Sequence, residues 1–458
     1  MKFIKNTYIG SYSFYKKTSK VAIPLALQQM LSSAMGIIDS LMVSWIGHVS
    51  AVGTAAQIDL LCSMISYGAI GSSSIFAAQF FGAKDHKNLK RTFGFSLIIA
   101  CINGLFWLSL AAFFGKGILQ FYMDDTYIVE NGLLYLQIAM FSYIPSCIQF
   151  AFSYMYRSVQ KAHISLRIAI GSTILNALLN YIFIFGFGPL PSLGVQGAAL
   201  GTFIAQCTTV LVYFLHAYYT KQPFIGSFKE MFSLKLSFVS PILKKIYPLI
   251  INEALFGIGS TLFVKAFGSL GKDSMDAYYV SNQIANIFLF VVYGYGNAIT
   301  VLLGSLLGQG NIEQALKESR YHAGLSFLLA LILVSGMVLL TKPMLSLFTL
   351  ETPLAYQLAV SIMYVQAIKI SMRLFNFMIF SVLRAGGDSK IISLLDSGIM
   401  WTVGIPLAFL SVHAFHIEHI ALVFLIAQLE QLIRMCIGMK RFYSNKWAQN
   451  LTVLITSS

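Results

Sequence analysis

The chain is 458 residues long, 57% hydrophobic and only 10% charged, with a mean hydropathy of +0.74. Soluble domains carry about 25% charged residues, so this composition excludes a soluble globular protein. The net charge of +14 would suit nucleic acid if it were clustered, but it is spread over short loops, which argues against such a partner.

Apolar runs of roughly 20 residues, each long enough to cross the ~30 Å hydrocarbon layer, recur from end to end. Together they predict an all-α polytopic membrane protein. The basic start (Lys2, Lys5, Lys16, Lys17, Lys20) leads into a full-length span and not into a cleavable signal peptide. Twelve spans are predicted. The first six run over about 21–46, 55–80, 93–114, 133–156, 164–186 and 193–216, and the second six over about 246–270, 278–303, 322–341, 354–383, 391–413 and 417–438.

Span 1 contains "QQMLSSAMGIIDSLMVSWIG", with one carboxylate, Asp39, in an apolar helix. An ionised group at that depth costs about 2.5–3.5 kcal/mol on insertion scales, so such residues face a cavity and mark transport sites. Gln28, Ser32 and Asp39 share one helix face, predicting a polar stripe directed into the bundle. In span 5, Thr173, Asn176 and Asn180 also share a face. Their amide and hydroxyl oxygens suit Na⁺, and a desolvated carboxylate suits Na⁺ or H⁺. Asp59 is expected near the outer end of span 2.

The later spans differ in charge. Glu253 lies in span 7, but Lys265, Lys369 and Arg373 are in-span cations of the same half, with Lys369 and Arg373 on one face. Buried cations need partners, and these three are the candidate counter-ions of Glu253. Glu430 and Arg434, four apart in span 12, are expected to pair as a structural element. Asp396 is expected near the cytoplasmic interface, and Asp388 as a turn or cap residue. His413, His416 and His419 are expected in a solvated loop and not at a metal. The five cysteines fall inside spans without CxxC spacing and are expected to be small packing residues.

Charge orients the chain. With both termini on one side, 24 of the 31 Lys and Arg lie on that side, and only Lys116, Lys272 and Lys342 fall in the opposite loops. The positive-inside rule makes the rich side cytoplasmic.

The chain also repeats itself. Residues 50–85 align with 276–311: Ala51 with Ala277, Gln57 with Gln283, Tyr67 and Gly68 with Tyr293 and Gly294, Gly82 with Gly308. Upstream, after a two-residue slip, Pro24 aligns with Pro248 and Gly47 with Gly271. Six spans per repeat give both halves the same topology. The expected architecture is two pseudo-symmetric six-helix lobes that enclose a central site and rock about it. The N-terminal lobe covers 1–216, a cytoplasmic linker broken by Pro223, Gly226 and Pro241 covers 217–245, and the C-terminal lobe with a cytoplasmic tail covers 246–458.

Over nearly its whole length the sequence resembles the MATE (multidrug and toxic compound extrusion) family of the MOP superfamily, bacterial type. The motifs that carry the resemblance are Pro24 with Asp39 fifteen residues on, "WIGHVSAVGTAA", "AAQFFGAKDHKNLKRT", "LNALLNYIFIFG", "PSLGVQGAALGTFIAQ", "LLGQGNIEQALKES" and "LRAGGDSK". The resemblance implies export of organic cationic or amphipathic compounds in exchange for Na⁺ or H⁺. It matches Asn176 to an Asn that neighbours the span 1 Asp, and Tyr135 and Thr202 to site positions. It places Asn180 where many relatives carry a second Asp, which puts in doubt a mechanism needing two carboxylates. Glu253 matches an acidic position of some relatives. The cation-coupling set is therefore Asp39, Asn176, Asn180, Tyr135 and Thr202, with Na⁺ assigned to Asp39, Asn176 and Asn180.

The competing readings are a lipid-linked precursor flippase, kept open by Lys265, Lys369 and Arg373, an exporter of an anionic metabolite, and a non-transporting membrane interaction or sensor protein, which is disfavoured because no soluble domain is expected. An enzyme is the least favoured class, since the sequence has no GxSxG, HExxH or P-loop motif, and the lack of a nucleotide-binding motif excludes ATP-driven pumping by this chain alone. The expected partners are a small organic substrate and the lipid bilayer of the cell membrane. No cofactor and no obligatory protein partner is expected.

Overall fold

The computed structural model describes residues 8–46, 48–122, 126–348 and 352–453. Lys2, Lys5 and Gly47, used in the sequence reading, lie outside them, as does the side chain of Lys272.

The described chain is helical. α1 (Tyr12–Ser44) is followed by α2 (Val49–Ser66), which passes through a π-helical turn (Tyr67–Gly71) into α3 (Ser72–Gly82). Next come α4 (His86–Tyr122), α5 (Thr126–Ala139), α6 (Tyr143–Ser158), α7 (Ala162–Phe185) and α8 (Gly194–Tyr219). A short α9 (Phe228–Phe232) precedes α10 (Leu236–Gly268), α11 (Lys272–Gly308), α12 (Ile312–Leu345) and α13 (Pro353–Ala385). The last stretch is α14 (Ser389–Ser393), two π-helical turns (Leu394–Gly398 and Met400–Gly404), α15 (Ile405–His413), α16 (Ile420–Ala427) and α17 (Leu429–Tyr443). Eleven stretches of the described residues are long and apolar enough to cross a membrane. The twelfth expected span is α1, 33 residues long. Helices are the only open-ended way to span lipid, because each satisfies its own backbone polar groups.

The chain divides into two compact units, one from Leu27 to Ile246 and the other formed by residues up to Ala26 together with those from Tyr247 onward. The sequence reading places the start of span 1 with 27–216, and packing explains the difference. Phe14 meets the rings of Tyr321 and His322 at 5.3 and 4.8 Å, and Lys17 lies 3.8 Å from Glu318.

Within the first unit, α7 packs along α8, α4 along α6 and α2 along α5. Small residues permit the α7–α8 approach. A methyl group at Gly197 would strike the Phe183 carbonyl, and one at Gly201 would strike Asn180, so "GAALG" is a close-packing stripe of the kind membrane helices use. The five cysteines are free. Cys62 and Cys147 touch at 3.7 Å beside Ser66 and Asn103.

The linker is more ordered than its Pro and Gly content predicts. Ser227 and Glu230 form a capping box at the start of α9, Lys90 reaches Glu230 at 3.2 Å, and Gly94 leaves room for the Met231 carbonyl. Pro241 lies inside α10.

The second unit is built around α13, which packs against α11, α12, α16 and α17. α13 carries two mid-span cations, Lys369 and Arg373, both partly buried by these neighbours.

Candidate functional site

Three helices of the first unit bring one acid and two amides together. Asn180 on α7 donates from Nδ2 to Asp39 Oδ1 on α1 at 2.9 Å and approaches Asn176 Oδ1 at 3.4 Å. Asn176 Nδ2 donates to Thr202 Oγ1 on α8 at 3.2 Å. Both asparagines are 1% exposed. Asn180 Oδ1 is buried with no hydrogen-bond partner and lies against Gly201 on α8, while its Nδ2 faces the carboxylate. This donor set fits a hard cation, which takes oxygen ligands. Tyr135, buried on α5, lies within electrostatic reach of both Asp39 and Asp59.

The structure thus brings together Asp39, Asn176, Asn180 and Thr202, with Tyr135 nearby. It separates two other residues of the expected polar faces. Thr173 donates back to the Ala169 carbonyl at 3.0 Å and faces Met35 Sδ at 3.9 Å. Gln28 belongs to another network: its Nε2 donates to Ser153 and Ser165 at 3.1 and 3.2 Å, and its Oε1 accepts from Arg157 at 2.9 Å. Eleven residues of helix put Gln28 about 16 Å from Asp39 along the axis, so a shared face is not a shared site. Asp59 is the residue that sequence reasoning undervalued. It lies ten residues into α2, about 15 Å along the helix. Its signal was the proximity of Tyr143 and Tyr135, visible only after folding.

The second unit holds an ion network in place of a lone acid. Asp396, in the first π-helical turn of span 11, takes Arg434 Nη1 at 2.8 Å and Arg373 Nη1 at 3.6 Å on Oδ1, and Asn252 Nδ2 at 3.1 Å on Oδ2. Asn252 also accepts from the Ser397 amide at 3.1 Å. Arg434, with a fully buried side chain, also reaches Glu430 at 3.0 Å, the expected pairing within span 12. Asp396 is therefore the hub of a buried ion network. Among the described residues the ion-pair partner of Glu253 is Arg384 at 3.8 Å; Arg373 acts on it only at longer range, and neither Lys265 nor Lys369 pairs with it. Arg384 lies in the last turn of α13, one residue beyond the expected end of span 10. The helix continues through it, and its side chain is only 12% exposed. Lys265 is exposed and belongs to neither network. Lys369 places its ammonium over the Phe424 ring at 5.0 Å. Asp388 precedes α14 and pairs with Arg441 Nε at 2.7 Å.

The MatE family profile matches residues 24–182 and 248–410, most of the chain and both halves of the repeat. The chain belongs to the MatE family. It is therefore a multi-pass membrane protein of a transporter family and not an enzyme. Similar proteins include the probable multidrug resistance protein YoeA of Bacillus subtilis, 22% identical over 418 residues and covering 89% of each chain. Another is the probable multidrug resistance protein NorM of Thermotoga maritima, 23% identical over 453 residues, covering 94% of this chain and 93% of that one. Among solved structures, a crystal structure of MATE in complex with MaD3S superposes with a TM-score of 0.84 at 17% identity, covering 97% of this chain and 99% of that one. A MOP superfamily transporter from Pyrococcus furiosus superposes at 0.85 with the same identity and coverage. At this identity the likeness concerns the fold: all-α, twelve membrane helices in two lobes.

Proposed function

We propose that this MATE protein is a secondary antiporter that exports organic cationic or amphipathic compounds in exchange for Na⁺ or H⁺. The supporting relatives are named as multidrug resistance proteins. The observation that carries the reading is the company Asp39 keeps. Its described hydrogen-bond partner is a neutral amide, Asn180 at 2.9 Å, whose own oxygen is unpartnered. A carboxylate so placed can take up and release a cation, because among the described residues no ion pair holds it. Asn176 and Thr202 hold Asn180 in position, and Tyr135 joins from α5. Residues 217–245 link the two lobes on the cytoplasmic side, and the protein sits in the cell membrane with both termini cytoplasmic.

The test is transport of a fluorescent organic cation into inverted vesicles loaded with Na⁺ or H⁺ in separate experiments. Asp39→Asn keeps size and polarity but removes the charge. The variant should insert normally and lose gradient-driven transport with either ion. Undiminished transport by this variant would place the coupling charge elsewhere.

A further inference from the structure

The second unit contains a cavity of about 280 Å³. Phe263 and Tyr278 contribute to its aromatic wall, and Lys369, Arg373 and Glu430 are the charged residues that reach it.

The three carboxylates of this unit's buried network are already taken. Glu253 faces Arg384, Glu430 faces Arg434, and Asp396 is shared by Arg434 and Arg373. Glu430 does not reverse the sign of the cavity, because Oε2 accepts from Arg434 and Oε1 from Gln431 Nε2, both at 3.0 Å. Lys369 is left over: among the described residues its ammonium has no salt bridge, and its recorded contact is the face of Phe424. A second observation points the same way. Gln366, 1% exposed, lines the cavity, and its Nε2 is buried with no hydrogen-bond partner. Gln366, Lys369 and Arg373 fall at i, i+3 and i+7 on α13, one helix face. A buried donor without an acceptor is costly, and the half-buried Lys369 ammonium is left with unmatched charge, because Glu430, which acts on it at longer range, is already paired with Arg434. One negatively charged acceptor would relieve both.

We propose that this cavity binds a small aromatic carboxylate, with its anionic end between Lys369 and Gln366 and its ring against Phe263 and Tyr278. The aromatic wall selects an amphipathic acid over a bare halide. A volume just below the roughly 300–1,000 Å³ of common ligand pockets suits a small molecule and not a lipid-linked one. The site uses none of the residues assigned to cation coupling, and its occupancy can be measured without any gradient.

The experiment uses the purified full-length chain in detergent and two fluorescent probes of like shape and opposite charge, 1-naphthoate and 1-naphthylmethylammonium. Naphthoate should bind saturably and the ammonium probe should neither bind this site nor displace it. Lys369→Met should weaken naphthoate binding at least tenfold without lowering thermal stability, because that ammonium has no ion-pair partner to strand. Lys369→Arg should restore binding, and Gln366→Leu should weaken it severalfold. Gln366→Leu and Lys369→Arg keep the test decisive if Lys369→Met folds poorly. The proposal fails if naphthoate does not bind, if chloride binds and naphthoate does not, if the ammonium probe competes, or if neither the Met nor the Leu variant changes affinity.

Discussion

Asp39 and Asp396 are both carboxylates on membrane-spanning helices, and their surroundings are opposite. Asp39 receives the Asn180 amide, which stabilises a negative charge without cancelling it. Asp396 receives two guanidinium groups at 2.8 and 3.6 Å and the Asn252 amide. A cation arriving at Asp396 would have to separate buried ion pairs. One arriving at Asp39 displaces or joins neutral groups. The repeat therefore duplicates the scaffold and not the chemistry. Gln28 and Asn252 occupy corresponding positions, and both tie their helix to the fifth helix of its repeat, at Ser165 and at Asp396 with Ser397. Asp39 itself corresponds to Phe263, a wall of the aromatic cavity.

The contrast can be broken most severely at Arg434. Arg434→Met removes the strongest partner of Asp396 and the partner of Glu430, stranding buried carboxylates. Breaking such pairs costs about 3–5 kcal/mol, so folded yield by size-exclusion chromatography should fall steeply. A well-folded, abundant variant would show that the network is not structural. Glu253→Gln should cost less, about 1–3 kcal/mol, because the Arg384 contact is longer. Combining it with Arg384→Gln should recover the thermal midpoint, and combining it with Arg373→Gln should not. Recovery by Arg373→Gln alone would contradict the pairing.

In the first unit the sharpening substitution adds charge. Asn180→Asp places a second carboxylate next to Asp39 and should tighten Na⁺ binding severalfold while slowing turnover, since release must also occur. Equal affinity and turnover would remove Asn180 from the site. The smallest effect is expected in the linker, outside both networks. The Ser227 amide and Lys90 hold the Glu230 carboxyl below the usual carboxylate range. Its contribution to linker docking is therefore present above the ordinary value of about 4.3 and is lost as pH falls through the lower folded value. Hydrogen exchange over 227–233 should be slightly faster in Glu230→Gln than in wild type at pH 7, with the gap narrowing toward pH 4. A gap independent of pH would exclude the charge.

The two sites differed in how far the sequence revealed them. The Asp39 site was legible because a single charge in an apolar helix must face something polar, and the spacing of Asn176 and Asn180 supplied the facing helix. Thr173 and Gln28 show the limit of that argument, since periodicity fixes a face but not a depth. The Asp396 network was hidden for two reasons. Its partners are long side chains whose choice depends on how helices cross, so Arg384 and not Arg373 reaches Glu253. Asp396 also sits in a π-helical turn, where an extra residue per turn shifts the face that α-helical spacing assigns. The helix bundle was legible throughout, because apolar length alone decides what can cross lipid.

The central claim is that the coupling charge resides at Asp39 and that the carboxylates of the second unit are fixed counter-ions. The most direct measurement is gradient-driven transport per folded molecule in two proteins compared side by side, Asp39→Asn and the double variant Glu253→Gln with Arg384→Gln. The account predicts near-complete loss in the first and retained transport in the second. Retained transport by Asp39→Asn, together with loss in a well-folded double variant, would contradict it and move ion coupling to the second unit.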